Sequence, residues 1–282
     1  MNIRSIFDKY SNTFTYIIHN KTDAIVIDPV LNFDPDHSQI SYECIEEINA
    51  LVFEEKLKLH ACLETHVHAD HLSGSYSLKE KYPSLKIAIS ENITQVQKTF
   101  APKFNLQNFP CDGSQFDLLF KNDDLLTFGE LQVKCLATPG HTPACTSFLI
   151  DQTLFSGDAL FMPDFGTGRC DFPQGSAEDL YHSIHDTLYR LPDETIVYVG
   201  HDYGPGGREI ANKTTIGACK KESKQLKDST TKEEFVQFRT HRDEQLAEPK
   251  LLMQSLQVNI QAGKLPEKES NGQRYFKIPF ST

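Results

Sequence analysis

The apolar and polar positions of the first third of the chain predict strands that alternate with helices. Apolar residues at helical spacing between 40 and 52 predict a helix with one buried stripe. A second helix is expected over 71–82, and residues 91–116 are predicted to be irregular. Short apolar runs bounded by polar turns predict strands. These runs lie at 14–19, 24–29, 61–63 and 86–90.

The rest of the pattern predicts a strand meander followed by helices. A helix is expected after a cap at Ser176, and a last strand is expected over 195–199. Beyond the last strand the pattern becomes helical and charged, with a capping box at Thr231 and Glu234, and it ends in a proline-containing extended tail. The meander strands are predicted at 125–128, 131–136, 146–150 and 153–156.

Potential metal ligands follow four of these strands at the point where each strand ends. The densest group is T-H-V-H-A-D-H at 65–71, in which two histidines two positions apart point to one face of an extended backbone. Imidazole is the commonest metal ligand in proteins and carboxylate is its regular companion. The convergence of such groups at strand ends predicts a site for one or two metal ions, although any single one of them can instead be a turn or cap residue. The candidates are His66, His68, Asp70, His71, His141, Asp158 and His201.

Length and composition are those of a globular protein. With 282 residues and 39% hydrophobic content the chain can bury a full core. We expect one domain over 1–282, in which 207–282 form a helical and extended C-terminal extension. No apolar run approaches the ~20 residues that cross a bilayer. Because the N-terminus also lacks the apolar core of a signal peptide, we expect a cytoplasmic protein with no membrane partner.

Charge and cysteine usage narrow the chemistry further. The net charge of −11, with no run of lysine and arginine, argues against a nucleic-acid partner and favours a small-molecule substrate. The seven cysteines are scattered without a C-x-x-C pair. Neither a disulfide framework nor a thiolate zinc site is therefore indicated.

The order of the strand-end motifs carries a resemblance to a known family. T-H-x-H-x-D-H, P-G-H-T, S-G-D and G-H follow one another between residues 14 and 201. This order resembles the metallo-β-lactamase superfamily. The resemblance implies an α/β fold, a four-layer αββα sandwich with the metal site at one edge between two sheets.

Further segments are similar to those of persulfide dioxygenases of bacterial type. They are T-G-R-C-D-F (167–172), G-H-D-Y (200–203), G-G-R (206–208), F-R-x-x-R-D (238–243) and Q-V-N-I-x-x-G (257–263). This resemblance implies an enzyme of sulfide detoxification that oxidises glutathione persulfide with O₂ to sulfite and free thiol.

The same resemblance implies one Fe(II) per chain, with His66, His141 and Asp158 as its catalytic ligands. Two imidazoles and one carboxylate leave three iron positions open for O₂ and substrate. The remaining candidates would hold those ligands and order water, or bind a second metal. These remaining candidates are His68, Asp70, His71 and His201.

Two alternatives stay open on the sequence. A glyoxalase II-like hydroxyacylglutathione hydrolase would use all seven candidate ligands on two zinc, iron or manganese ions bridged by Asp158. The ligand set alone does not separate this hydrolase from the oxygenase. The other alternative is an inactive binding or regulatory member of the fold, against which the complete ligand set argues.

Three residues are candidates for substrate binding. Arg169 and Arg208 are suited to pair with glutathione carboxylates, and Tyr203 to hydrogen-bond the peptide. The ordinary alternative for each arginine is an ion pair within its own loop. The segment 172–175, F-P-Q-G, departs from the animal-type pattern. The thiol that carries the persulfide therefore stays open among glutathione, coenzyme A and other small thiols.

Cys170 is either a redox thiol or, as we expect, a buried small hydrophobe. A homodimer is a candidate assembly.

Overall fold

Short apolar runs separated by polar turns form the strands of this protein, whose computed structural model describes residues 1–280. The prediction for 207–282 therefore includes two residues, 281 and 282, that lie outside the described part. The strands are β1 (Asn2–Asp8), β2 (Thr13–His19), β3 (Asp23–Ile27), β4 (Val30–Asp34), β5 (Gln39–Ser41), β6 (Lys58–Leu63), β7 (Leu72–Ser73), β8 (Lys86–Ser90), β9 (Leu118–Phe120), β10 (Leu125–Phe128), β11 (Leu131–Ala137), β12 (Thr146–Ile150), β13 (Thr153–Phe155), β14 (Ile196–Tyr198) and β15 (Lys213–Thr215).

Two of the helices begin at caps that the sequence predicts. The Ser176 side chain accepts a hydrogen bond from the Asp179 backbone N–H, and Thr231 and Glu234 form the predicted capping box. The helices are α1 (Glu43–Glu54), α2 (Ser75–Lys81), α3 (Ile93–Lys103), α4 (Ala177–His182), α5 (Ile216–Glu222), α6 (Lys232–Asp243) and α7 (Leu252–Asn259).

Two six-stranded sheets form the centre of the fold, in the orders β1-β2-β3-β6-β8-β9 and β10-β11-β12-β13-β14-β15. A small third sheet has the order β5-β4-β7. All five residues of β3 are buried, as expected for a strand that is covered on both faces. Tyr16 and Phe155 pack edge to face between the sheets, with ring centroids 5.2 Å apart, and the Tyr16 hydroxyl donates to the Val199 carbonyl oxygen.

Helices cover the outer faces of the sheets. Ile48 of α1 and Phe100 of α3 pack in the apolar cluster that contains Ile17 and Val26 of the first sheet. Leu180 of α4, with residues of α5 and α6, packs in the cluster that lies with the second sheet. The predicted four-layer αββα sandwich is thereby confirmed.

The carboxyl ends of several strands meet at one edge of the sandwich. β13 and β14 are parallel, and β11 runs in the same direction because it and β13 are both antiparallel to β12. In the first sheet β3 and β6 are parallel. The residues that directly follow β6, β11, β13 and β14 are therefore placed close together.

The structure corrects three predicted elements. α2 begins at Ser75 rather than at 71, because Leu72 and Ser73 pair with β4. The region predicted to be irregular contains α3, whose apolar stripe is interrupted by the buried polar Gln97 and whose last turn contains Pro102. β14 is not the last strand, because β15 follows it and pairs with it.

The extension after 207 contains more regular structure than the sequence pattern indicates. It includes β15, α5, α6 and α7, and residues 260–280 form neither helix nor strand. In residues 1–280, no helix has the length and apolar character needed to cross a membrane.

Candidate metal centre

Four strand ends bring the candidate ligands together. Asp158, after β13, places its Oδ2 atom 3.6 Å from His141 Nε2 and 3.9 Å from His66 Nε2. His66 follows β6 and His141 follows β11. All three residues are buried, and their ligand atoms lie within 4.8 Å of one another. This cluster contains the three iron ligands that the resemblance implies.

Hydrogen bonds behind three of the imidazoles fix which nitrogen faces the centre. The Nδ1 atom of His141 lies 2.6 Å from the Arg169 carbonyl oxygen, which can only accept, so this nitrogen carries the hydrogen. His201 Nδ1 contacts the Asn12 carbonyl oxygen in the same way at 3.2 Å. His66 Nδ1 contacts the Thr65 hydroxyl at 3.0 Å. In each neutral ring the Nε2 lone pair is then directed at the centre.

A second cluster of candidate ligands adjoins the first. His68, Asp70 and His71 offer ligand atoms that also lie within 4.8 Å of one another. His201 connects the two clusters, because its Nε2 atom lies 3.4 Å from Asp158 Oδ1 and 3.6 Å from Asp70 Oδ2. The structure therefore brings all seven candidates next to one another.

The donor set fits a metal cation. Within residues 1–280, several buried ligand atoms of this site have no hydrogen-bond partner, and buried polar atoms are otherwise nearly always paired. They are His66 Nε2, His68 Nδ1 and Nε2, His71 Nε2 and Asp158 Oδ1. A cation bound between them would satisfy both the lone pairs of the neutral imidazoles and the carboxylate oxygens that they face.

The protonation states also suit metal binding. Burial lowers the pKa of His66 and of His68 well below the ordinary value, so both rings are neutral at pH 7. Burial opposes the charged form of Asp158, but the surrounding imidazoles outweigh burial and hold the pKa of this carboxyl below its ordinary value. Neutral imidazole and ionised carboxylate are the forms that bind metals.

Two buried carboxylates behind His68 were not among the sequence candidates. Asp28 Oδ1 lies 3.1 Å from His68 Nε2, and Glu64 Oε2 lies 3.8 Å from the same nitrogen. Asp28 also accepts hydrogen bonds from the backbone and hydroxyl of Thr65, both at 2.7 Å. Burial raises the pKa of Asp28 to about 6 and that of Glu64 to about 7. Each acid follows a strand end, which is the signal that could have identified it.

A cavity of about 430 Å³ opens onto the site and has both aromatic and basic walls. Tyr203 stacks on His201 with an interplanar angle of 10°, and its ring centroid lies 4.6 Å from that of Phe165. The basic side chains that line the cavity are Arg169, Arg239, Arg242 and Lys250.

Only two of the three predicted substrate-binding residues line this cavity. Tyr203 and Arg169 line the cavity, but Arg169 is bonded through two nitrogens to Asp171 and through a third to the Ala247 carbonyl oxygen. Arg208 is not a lining residue, and its guanidinium binds both Asp164 and Asp202.

Arg242 and Lys250, which the sequence candidates did not include, make no side-chain hydrogen bond or ion pair within residues 1–280. Arg242 belongs to the F-R-x-x-R-D segment noted above, and it lies one helical turn after Arg239, which is buried and paired with Asp243. Cys170 is buried, and burial raises the pKa of its thiol, as expected for a small hydrophobe.

A family model described as the metallo-beta-lactamase superfamily matches residues 9–201, which include all seven candidate ligands. The chain belongs to the metallo-beta-lactamase superfamily. The predicted family and fold are confirmed by this match together with the sandwich and the strand-end site. The superfamily includes more than one reaction class, so family membership alone does not give the reaction.

Similar proteins carry names from two reaction classes. This superfamily member is 50% identical over 258 residues to Glyoxylase B2 of Dictyostelium discoideum, which covers 91% of this chain and 88% of that protein. It is 34% identical over 205 residues to the mitochondrial persulfide dioxygenase ETHE1 of Homo sapiens, covering 71% and 68% respectively. The crystal structure of ETHE1 from Myxococcus xanthus matches with a TM-score of 0.75 and 32% identity, covering 94% of this chain and 100% of that chain.

Proposed function

We propose that this protein is an Fe(II)-dependent persulfide dioxygenase that oxidises glutathione persulfide, or a related small persulfide, with O₂. In this reaction the S–S bond breaks and the terminal sulfur gains three oxygen atoms, two from O₂ and one from water. The products are sulfite, free thiol and protons. The observation that carries the proposal is the similarity to the persulfide dioxygenases named ETHE1. The buried cluster of His66, His141 and Asp158, whose ligand atoms lie within 4.8 Å of one another, supplies a ligand set that suits this reaction.

Two imidazoles and one carboxylate are the protein ligands of non-haem iron oxygenases, and such a set suits Fe(II). When bound, Fe(II) would supply open positions that bring O₂ and the persulfide together. Asp158 completes the set, and His201 contacts its second oxygen. His141 is held by the Arg169 carbonyl oxygen, so the backbone at residue 169 positions a proposed ligand.

The cavity walls support an anionic thiol substrate. Arg242 and Lys250 are available for carboxylates, because within the described residues neither is paired with an acidic side chain. Tyr203 and Phe165 offer aromatic surface beside the metal cluster. We therefore assign carboxylate binding to Arg242 and Lys250, and contact with the rest of the thiol to Tyr203. We assign Arg169 and Arg208 to holding their loops through the acidic partners described above.

A second candidate function is binuclear hydrolysis of a glutathione thioester. The observation that favours it is His201, whose Nε2 lone pair faces Asp70 and Asp158 and would suit a second cation. Asp158 would then bridge two ions through its two oxygens. The 50% identity to Glyoxylase B2 also supports this reading.

Parallel assays of the two reactions on one preparation separate the candidates. Protein loaded anaerobically with Fe(II) is given glutathione persulfide, and O₂ uptake and sulfite are measured. A zinc-loaded sample is given the same persulfide, and both samples are also given S-lactoylglutathione, whose thioester cleavage is measured. We expect O₂ uptake with sulfite formation in the iron form only. Thioester cleavage without O₂ uptake would refute the oxygenase and support the hydrolase.

A further inference from the structure

Asn259, at the end of α7, lies beneath the loop that carries three of the candidate metal ligands. Its side-chain nitrogen donates to the carbonyl oxygens of His68 and His71, both at 2.8 Å. Its side-chain oxygen accepts from the backbone N–H of Ser73 at 2.7 Å. One buried amide thus binds three backbone groups within six consecutive residues.

The side-chain amide of Asn259 binds the loop with both its donor and its acceptor groups. Both amide hydrogens and the amide oxygen are engaged, and each partner is a backbone group that a buried loop must satisfy. An aspartate of the same shape can accept from Ser73, but it cannot donate to His68 or His71. Its oxygens would instead face two carbonyl oxygens, which is unfavourable in a buried site.

The same part of the chain contacts the loop at a second point. Gly263 has φ of +84°, and a Cβ atom there would lie 2.8 Å from the Ser73 carbonyl oxygen. The chain after α7 is therefore packed directly against the loop. Gln257, two residues before Asn259, binds both backbone groups of Lys277 and so holds the C-terminal tail to the same helix.

The position of the loop backbone affects the proposed iron ligands. The ring of His68 lies 4.1 Å from that of His66 and 4.2 Å from that of His71, measured between centroids. A shift of the backbone at His68 would therefore displace the neighbouring ring of His66. Partners behind metal ligands that fix ring orientation commonly affect metal affinity 10–100-fold, by order of magnitude.

We propose that Asn259 is a positioning residue of the metal centre. It holds the backbone of His68, His71 and Ser73 so that the histidines of this loop keep the geometry that metal binding requires. The C-terminal extension is thereby part of the metal centre rather than an independent appendage. This inference rests on the proposed metal centre.

The test compares Asn259→Ala and Asn259→Asp with a matched control, Gln97→Ala. Gln97 is also a fully buried amide, and it donates to the Ile260 carbonyl oxygen and accepts from the Gly113 N–H without touching the metal loop. Metal affinity is measured by competition between each full-length protein and a chelator for Zn(II) and Fe(II). We expect both Asn259 variants to bind metal at least about tenfold more weakly. The control should bind as the wild type does, even where it lowers the melting temperature.

Hydrogen exchange of the metal-free proteins gives a second, metal-independent readout. The Ser73 amide should exchange faster in Asn259→Ala than in the wild type and remain protected in Gln97→Ala. Because Asn259→Asp is nearly isosteric, it keeps the affinity test valid if the alanine variant does not fold.

Two results would count against the inference, and they are distinguishable. If the wild type and both Asn259 variants bind metal equally well, the positioning role is refuted and the proposed metal centre stands. If the wild type itself binds neither metal, the proposed metal centre fails, and the inference that rests on it fails too.

Discussion

The Nε2 atom of His141 lies 3.6 Å from Asp158 Oδ2. The other nitrogen of that ring donates to a backbone carbonyl oxygen, so the lone pair of Nε2 is aimed at the carboxylate. This relationship makes His141 a direct test of the proposed ligand set. We expect His141→Ala to abolish iron binding and turnover, because two remaining ligands hold the ion too weakly. Metal analysis and O₂ uptake measure both effects.

His60→Ala is the control for the loss of a histidine. His60 is largely buried and pairs with Asp23 at 2.6 Å, and it is not one of the candidate ligands. Its removal should leave iron content unchanged. Full iron content in His141→Ala would contradict the ligand set.

Arg242 is the cation whose removal should affect substrate binding. It lines the cavity, and within residues 1–280 it has no acidic partner. We expect Arg242→Ala to raise KM for glutathione persulfide about tenfold with little change in kcat, because one charged hydrogen bond contributes about 1.5–3 kcal/mol. A persulfide that lacks carboxylates should show no such difference between the wild type and the variant.

Arg190→Ala is the matched control, since Arg190 is exposed and lies outside the cavity. An equal rise of KM for charged and uncharged persulfides in Arg242→Ala would show that the effect is not carboxylate recognition.

Asp23 gives a prediction for the pH dependence of stability. Its carboxylate accepts hydrogen bonds from His60, from the Glu130 backbone and from Asn20. The hydrogen bond from His60 contributes most to lowering the pKa of Asp23 to about 2, and it outweighs burial, which opposes this shift. The pKa in the unfolded chain is about 4. The folded state therefore gains stability above pH 4, and this gain is lost as the pH falls through 2.

We expect Asp23→Asn to cost about 2 kcal/mol near neutral pH, and about half of that at pH 3. Urea denaturation of the metal-free protein at both pH values measures the difference. Asp34→Asn, which removes an exposed acid paired with His37, is the control and should change stability little. A cost of Asp23→Asn that does not depend on pH would contradict the assignment.

The sequence identifies the candidate ligands because their signal is local. His66, His141, Asp158 and His201 each lie within a few residues of the end of an apolar run, and the end of a strand is visible in the chain itself. The sandwich that brings these ends together was implied by family resemblance, since spacing alone does not give strand order.

What the sequence does not show depends on partners that are distant in the chain. Asp202 is a nearby acidic partner of Arg208 in its own loop, but the sequence does not show that Asp164, 44 residues away, also binds its guanidinium. The sequence does not show that Asn259 binds the loop at 68–73, because this contact depends on the packing of α7 beneath that loop. α3 was missed for a local reason, because a buried glutamine and a proline interrupt its apolar stripe.

The most direct test of the account is the number of iron ions that maximal activity requires. Metal-free protein is titrated anaerobically with Fe(II), and O₂ uptake with glutathione persulfide is measured after each addition. The account predicts that the rate rises linearly and reaches its plateau at one iron per chain. A plateau at two metals per chain, or no O₂ uptake at any iron content, would contradict it.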